Sequence, residues 1–157
     1  MRAGVGIRSF FRQLEDMHQF VAAVDEHTVG SFWESFLHEG DREGELANRL
    51  DSILATHAKT FEEHRSLVLA TESLRWSSRV LKENYDRYQQ ISRANKERWL
   101  PEINQLHSDE RELADAYLSF EIWHRLRGIQ GLSCSAAQAA VMKALMRLLN
   151  PLRLSPY

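Results

Sequence analysis

Residues 113–149 read LADAYLSFEIWHRLRGIQGLSCSAAQAAVMKALMRLL, and this stretch decides the fold. Leu113, Ala116, Tyr117, Phe120 and Trp123 recur at the spacing of an amphipathic helix, not at the alternation of a strand. Asp109 with Glu112 makes a capping-box pattern ahead of them, and Gly128 and Gly131 supply the stop. Ser135 with Gln138 makes a second box-like start. Ala137, Ala140, Val141, Ala144, Leu145, Leu148 and Leu149 then carry the period to Asn150-Pro151. Two helices joined by a short turn, with aromatic knobs on one and small residues on the other, form half of a four-helix bundle. The rest of the subunit can complete it, or the same pair from a second copy about a two-fold axis. In the homodimer reading, the interface is Leu113, Tyr117, Phe120, Trp123, Ala137, Val141, Leu145 and Leu148.

Upstream, a long helix places Leu46, Leu50, Ile53, Leu54, His57 and Phe61 on one face. The pattern slips around Glu63–Arg65, and Leu67, Ala70 and Leu74 begin a shorter helix. The longest candidate runs from about Val80 to Leu106 and carries Leu81, Tyr85, Tyr88, Ile91 and Trp99. Pro101 lies inside it and predicts a kink or break near Leu100. Earlier still come the stripes of Ile7, Phe10, Phe11 and Leu14, then of Met17, Phe20, Val21 and Val24. Gly30 interrupts the second, Phe32, Trp33 and Phe36 follow, and residues 40–44 form a loop. The fold class read from these patterns is all-α, a bundle of about seven helices.

Composition narrows the function classes. A chain of 157 residues is one domain with room for a core. Its 43% apolar and 27% charged residues suit a globular protein. Net charge is −2, so any nucleic-acid contact must come from a local patch. A single cysteine, Cys134, excludes an intrachain disulfide framework and a cysteine-based zinc site. No run approaches the length of a membrane span, and the start lacks a secretory apolar region, so the expected location is cytoplasmic, with no membrane partner.

The middle of the chain is rich in aromatic residues. Phe32, Phe36, His57, Phe61, Trp76, Tyr85, Tyr88 and Trp99 are candidates for an apolar ligand pocket, with Asn84, Gln89 and Asn95 near enough to orient a guest. Each is equally a core residue when taken singly.

The amino-terminal segment carries Arg2, Arg8 and Arg12 and no acid over its first fourteen residues. On a helix starting near Gly6, Arg8, Ser9, Arg12 and Gln13 share the face opposite the apolar stripe. Arginine forks match guanine edges or phosphates, and glutamine can pair with adenine. The run Arg2-Ala3-Gly4-Val5-Gly6-Ile7-Arg8-Ser9-Phe10-Phe11-Arg12-Gln13-Leu14 resembles the second half of the helix-turn-helix of TetR-family bacterial repressors. Leu118-Ser119-Phe120-Glu121-Ile122-Trp123-His124-Arg125-Leu126-Arg127, followed by Gln130-Gly131-Leu132-Ser133, is similar to a penultimate helix and turn found in that family.

The resemblance implies three parts. Residues 1–15 are a remnant of the helix-turn-helix, 16–150 an effector-binding and dimerisation domain, and 151–157 a tail. It implies DNA contact by Gly4, Gly6, Arg8, Ser9, Phe11, Arg12 and Gln13, and a small apolar or amphipathic effector that favours the non-binding state. The function implied is a ligand-responsive transcriptional repressor; the alternative is a helical ligand-binding or dimerisation module without DNA activity. Gly6 stands where the family has a capping serine, Phe11 lacks a phosphate-binding hydroxyl, and Met17 replaces a lysine, each weakening backbone anchoring. Two helices precede the turn in that family and none precedes Arg2 here. Residues 1–157 alone are therefore expected to bind operator DNA weakly or not at all. The start then lies further upstream, or the product is an effector-and-dimer module.

Enzymatic readings find little. The sequence has no Glu-x-x-His pair on two helices and no His-Glu-x-x-His, so no catalytic residue, metal ligand or cofactor is assigned. Glu34 with His38, and Glu121 with His124 or Arg125, sit at ordinary helical pairing distance. Cys134 sits at a helix start between two serines, where a thiolate would be favoured but a capping turn explains it as well.

Overall fold

The computed structural model describes residues 42–76 and 78–150, with three isolated helical positions upstream, Arg12, Gln19 and Ala23. Among the described residues there are six α-helices and no strand, so the all-α reading holds, while the amino-terminal helices within the expected count of about seven lie outside them.

The first helix, α1 (Leu46–Glu63), buries the anticipated stripe of Leu50, Ile53, Leu54, His57 and Phe61. Helix α2 (Arg65–Leu74) restarts after His64, where the apolar pattern slips, and buries only Thr71. Helix α3 (Arg79–Trp99) opens on Ser78, whose hydroxyl accepts the Leu81 N–H at 3.4 Å. Its 21 residues bury only Leu81, Asn95, Lys96 and Trp99, so it is an outer helix pinned near its ends.

Pro101 acts as expected. The helix stops at Trp99, and a 3-10 turn follows over Pro101–Gln105. The break strands a C-terminal carbonyl, which needs a partner. Arg49 supplies it, donating from Nη1 to the Trp99 carbonyl at 2.8 Å. The same guanidinium grips both oxygens of Glu102, and its Nε donates to the Gly44 carbonyl at 3.1 Å. One buried arginine therefore ties the start of α1 to the end of α3.

The closing region departs from the expected pair of helices. Helix α4 (Ser108–Tyr117) ends early, and a separate short α5 (Phe120–His124) begins after it. The Ser119 hydroxyl accepts the Ile122 N–H at 3.3 Å, so a serine inside an unbroken apolar period starts a new helix. One π-helical turn (Arg125–Ile129) continues α5, and Gly131, at φ +71°, reverses the chain. Helix α6 (Cys134–Leu149) then runs back.

The first expected capping box is displaced by two residues, and at the second helix the cap moves by two residues without forming a box. The His107 N–H donates to Glu110 at 3.2 Å, while Asp109 falls in the first turn of α4, where its charge faces unpaired N–H groups. Ser133, not Ser135, caps α6 by accepting the Ala136 N–H at 3.2 Å. Gln138 instead donates to the Leu54 carbonyl at 3.4 Å.

Two apolar clusters hold the body together. The larger joins Leu50, Ile53 and Leu54 of α1 to Trp99, Leu100, Ile103, Ala114 and Leu118, and to Val141, Leu145 and Leu149 of α6. In the smaller, Phe61 meets Phe120 edge-on at 5.5 Å between centroids, beside Ala58, Trp123 and Ala137. Glu62 closes this end, accepting from Trp123 Nε1 at 3.0 Å and Arg127 Nε at 2.7 Å.

Of the interface residues read from sequence, Phe120, Trp123, Ala137, Val141 and Leu145 are buried within the single chain, the first two because the break at Ser119 turns α5 against α1. Tyr117 and Leu148 are half-buried, and Leu113 is 50% exposed.

Candidate functional site

Of the eight aromatic and histidine positions read as a pocket, the six among the described residues divide between the apolar core and the surface. Phe32 and Phe36 lie outside the described residues. Trp99 belongs to the larger core cluster, and Phe61 to the smaller, with Tyr88 packed against it. His57 is buried beside Phe61, their ring centroids 5.4 Å apart. Trp76 is 79% exposed, with the Arg75 guanidinium over its ring at 4.8 Å. That guanidinium also covers Tyr85 at 4.0 Å, and Tyr85 donates to Glu121 at 2.6 Å. Burial, reinforced by this hydrogen bond, pushes the Tyr85 hydroxyl up to about 12. The single-residue core reading therefore accounts for His57, Phe61 and Trp99, while Trp76 and Tyr85 belong to a separate surface cluster.

One cavity that the described residues form is charged. A cleft of about 230 Å³ lies between α3, α4 and the 3-10 turn, lined by Arg93, Lys96, Glu97, Ile103, Ser108, Arg111, Glu112 and Asp115. Arg93, Lys96 and Glu97 sit at i, i+3, i+4 on α3; Ser108, Arg111, Glu112 and Asp115 sit at i, i+3, i+4, i+7 on α4. Those are the spacings at which packed helices usually meet through apolar side chains. The turn at Pro101 folds the two helices back so that these stripes face each other.

Lys96 is the floor. Its side chain is 3% exposed, and its ammonium donates to Asp115 Oδ1 at 2.8 Å and to the Asp115 carbonyl at 3.2 Å. Burial lowers its pKa, and Asp115 opposes the shift without cancelling it. Arg93 forks onto Glu112 at 3.0 and 2.7 Å and reaches Asp115 Oδ2 at 3.2 Å. Arg111 donates from Nη2 to Glu97 at 3.2 Å and to Asn104 at 3.3 Å. Three cations and three carboxylates thus alternate around one small opening. A cavity combined with a desolvated lysine is the arrangement from which a binding site is inferred.

The Lys96 charge is felt deeper in the body. Burial first, and the nearby ammonium second, hold the His57 imidazole well below its usual pKa, so it is neutral in the fold. The unfolded chain takes up that proton near pH 6.5 and the native chain does not, so stability falls as pH drops below this value. The His57 contribution to the slope is expected to approach about 1.4 kcal/mol per pH unit. Urea unfolding at a series of pH values checks this; a H57Q variant that keeps the full slope overturns it.

None of these cleft residues reads as a binding group from sequence, where Glu112 enters only as a capping-box partner. Charges at helical spacing read as a solvated face, and the signal that distinguishes them is the pairing of two such stripes across a proline-marked turn. Of the DNA-contacting positions, Gly4, Gly6, Arg8, Ser9, Phe11 and Gln13 lie outside the described residues, and Arg12 is helical and exposed. Among the described residues no group of three His, Cys, Asp or Glu side chains is placed to hold a metal ion. No described helix is long and apolar enough to cross a membrane. No protein-family model, curated protein or solved structure matches the chain.

Proposed function

We propose that the chain is a ligand-responsive transcriptional regulator of TetR type, in which residues 42–150 supply the sensing body. The observation that carries the reading is one of order. A run whose sequence resembles a groove-reading turn and helix, Ala3-Gly4-Val5 through Gln13, precedes a body whose described residues are all-helical and contain a polar cleft. Arg8, Arg12 and Gln13 are the groups that would meet DNA, and self-association would bring two such elements together.

A second reading is a helical ligand-binding module without DNA activity. The charged cleft favours it specifically, because that site stands complete without any contact to nucleic acid.

Capture of genomic fragments by the tagged protein expressed from its own gene separates the two. The regulator should enrich a small set of fragments sharing an inverted repeat. R8A/R12A should reduce binding uniformly across sequences and flatten its salt dependence by about two charges. Unselective recovery that is indifferent to R8A/R12A supports the module instead.

A further inference from the structure

We propose that the cleft between α3 and α4 binds a small zwitterion, a molecule of free amino-acid type with one carboxylate and one ammonium group. The size of the opening sets the first limit. Its volume of about 230 Å³ lies below the roughly 300–1,000 Å³ of pockets for drug-sized ligands, so it suits a compact metabolite.

The lining sets the second. A site for a simple anion would leave its cations in excess, yet here Arg93, Lys96 and Arg111 face Glu97, Glu112 and Asp115 in equal number. Unspent hydrogen-bonding capacity shows where a guest of each sign would sit. Arg111 uses only Nη2, so Nη1 and Nε have no partner among the described residues. Glu97 uses only Oε1, and Oε2 remains open beside that guanidinium. A carboxylate can therefore accept singly from Arg111 Nη1 or Nε while an ammonium donates to Glu97 Oε2. The third hydrogen of Lys96 and the Ser108 hydroxyl remain for the guest's other lone pairs.

Competition within the cleft does not prevent this. Arg111 and Glu97 share a single 3.2 Å contact with Arg111 42% exposed, the kind of pair that contributes little on its own. Breaking or bridging it costs little, whereas the deeper Lys96–Asp115 pair stays in place as the floor.

The inference rests on the sensing role proposed above for the body and names what it senses. It is tested without DNA, so that either can fail alone. In an amide NMR titration, L-alanine should give saturable shifts confined to residues around the cleft. Acetate and methylammonium, which each carry half of its charge, should need at least about tenfold higher concentration. R111Q and E97Q, both rim substitutions, should each weaken L-alanine about tenfold while leaving the rest of the spectrum unchanged. Absence of saturable shifts with L-alanine overturns the proposal. Acetate binding equally well also overturns it and points to an anion site, as does indifference to both substitutions.

Discussion

Trp99→Ala is expected to lower unfolding free energy by about 3–5 kcal/mol. The indole is fully buried where α1, the end of α3 and α6 converge, so its removal leaves a cavity that neighbours on three helices cannot collapse to fill. Arg49, gripping the Trp99 carbonyl, holds the backbone in place and further limits relaxation. Trp99→Phe should cost distinctly less. It keeps most of the apolar volume, and it removes an indole N–H that finds no acceptor among the described residues. Urea denaturation followed by circular dichroism measures both. A Trp99→Ala loss below about 1 kcal/mol would show that the site is not a close-packed core position.

The second large effect concerns the floor of the cleft. Asp115→Ala is expected to cost about 3–5 kcal/mol, because it leaves the Lys96 ammonium buried without its carboxylate. Lys96→Met should be nearly neutral or stabilising, since a flexible apolar chain replaces a desolvated charge. The double variant Lys96→Met/Asp115→Ala should recover most of what Asp115→Ala loses. The Asp115→Ala deficit also has a pH signature. Losing Asp115 lowers the folded-state pKa of Lys96 further below 10.5, so the unfolded chain holds the extra proton across that interval. Stability then rises with pH through the same window and the deficit shrinks. A double variant no better than Asp115→Ala alone would place the cost in Arg93 or in the end of α4, not in the stranded ammonium.

Much of the body was readable from residue spacing. The stripe from Leu50 to Phe61 faces the core as its period requires, and Pro101 ends α3 where proline must. Helix ends were less legible. Ser133 and Ser135 both qualify as caps by residue type, and only the turn set by Gly131 places Ser133 at the junction. The split at Ser119 was invisible because Tyr117, Phe120 and Trp123 keep a helical period straight across it. A single side-chain hydrogen bond to the Ile122 N–H decides against the pattern. That break matters most, since it turns Phe120 and Trp123 onto α1 and removes them from any outward-facing seam.

The cleft was hidden for a different reason. Arg93, Lys96, Glu112 and Asp115 each look solvent-facing in a one-dimensional reading, and only the reversal of the chain at Pro101 sets one charged stripe against the other. The Arg49 clamp is similar: its partners Trp99 and Glu102 lie 50 and 53 residues away, and nothing local announces them. Pairings of this kind depend on topology, which periodicity does not encode.

The uneven placement of the tryptophans gives the molecule built-in optical probes. Trp76 projects into solvent while Trp99 and Trp123 are shielded. An aqueous quencher such as iodide would therefore extinguish emission at the α2–α3 corner first and leave the interior signal intact. In a W33F background, which takes the fourth tryptophan out of the signal, changes at that corner and in the core can thus be followed separately in one unlabelled sample.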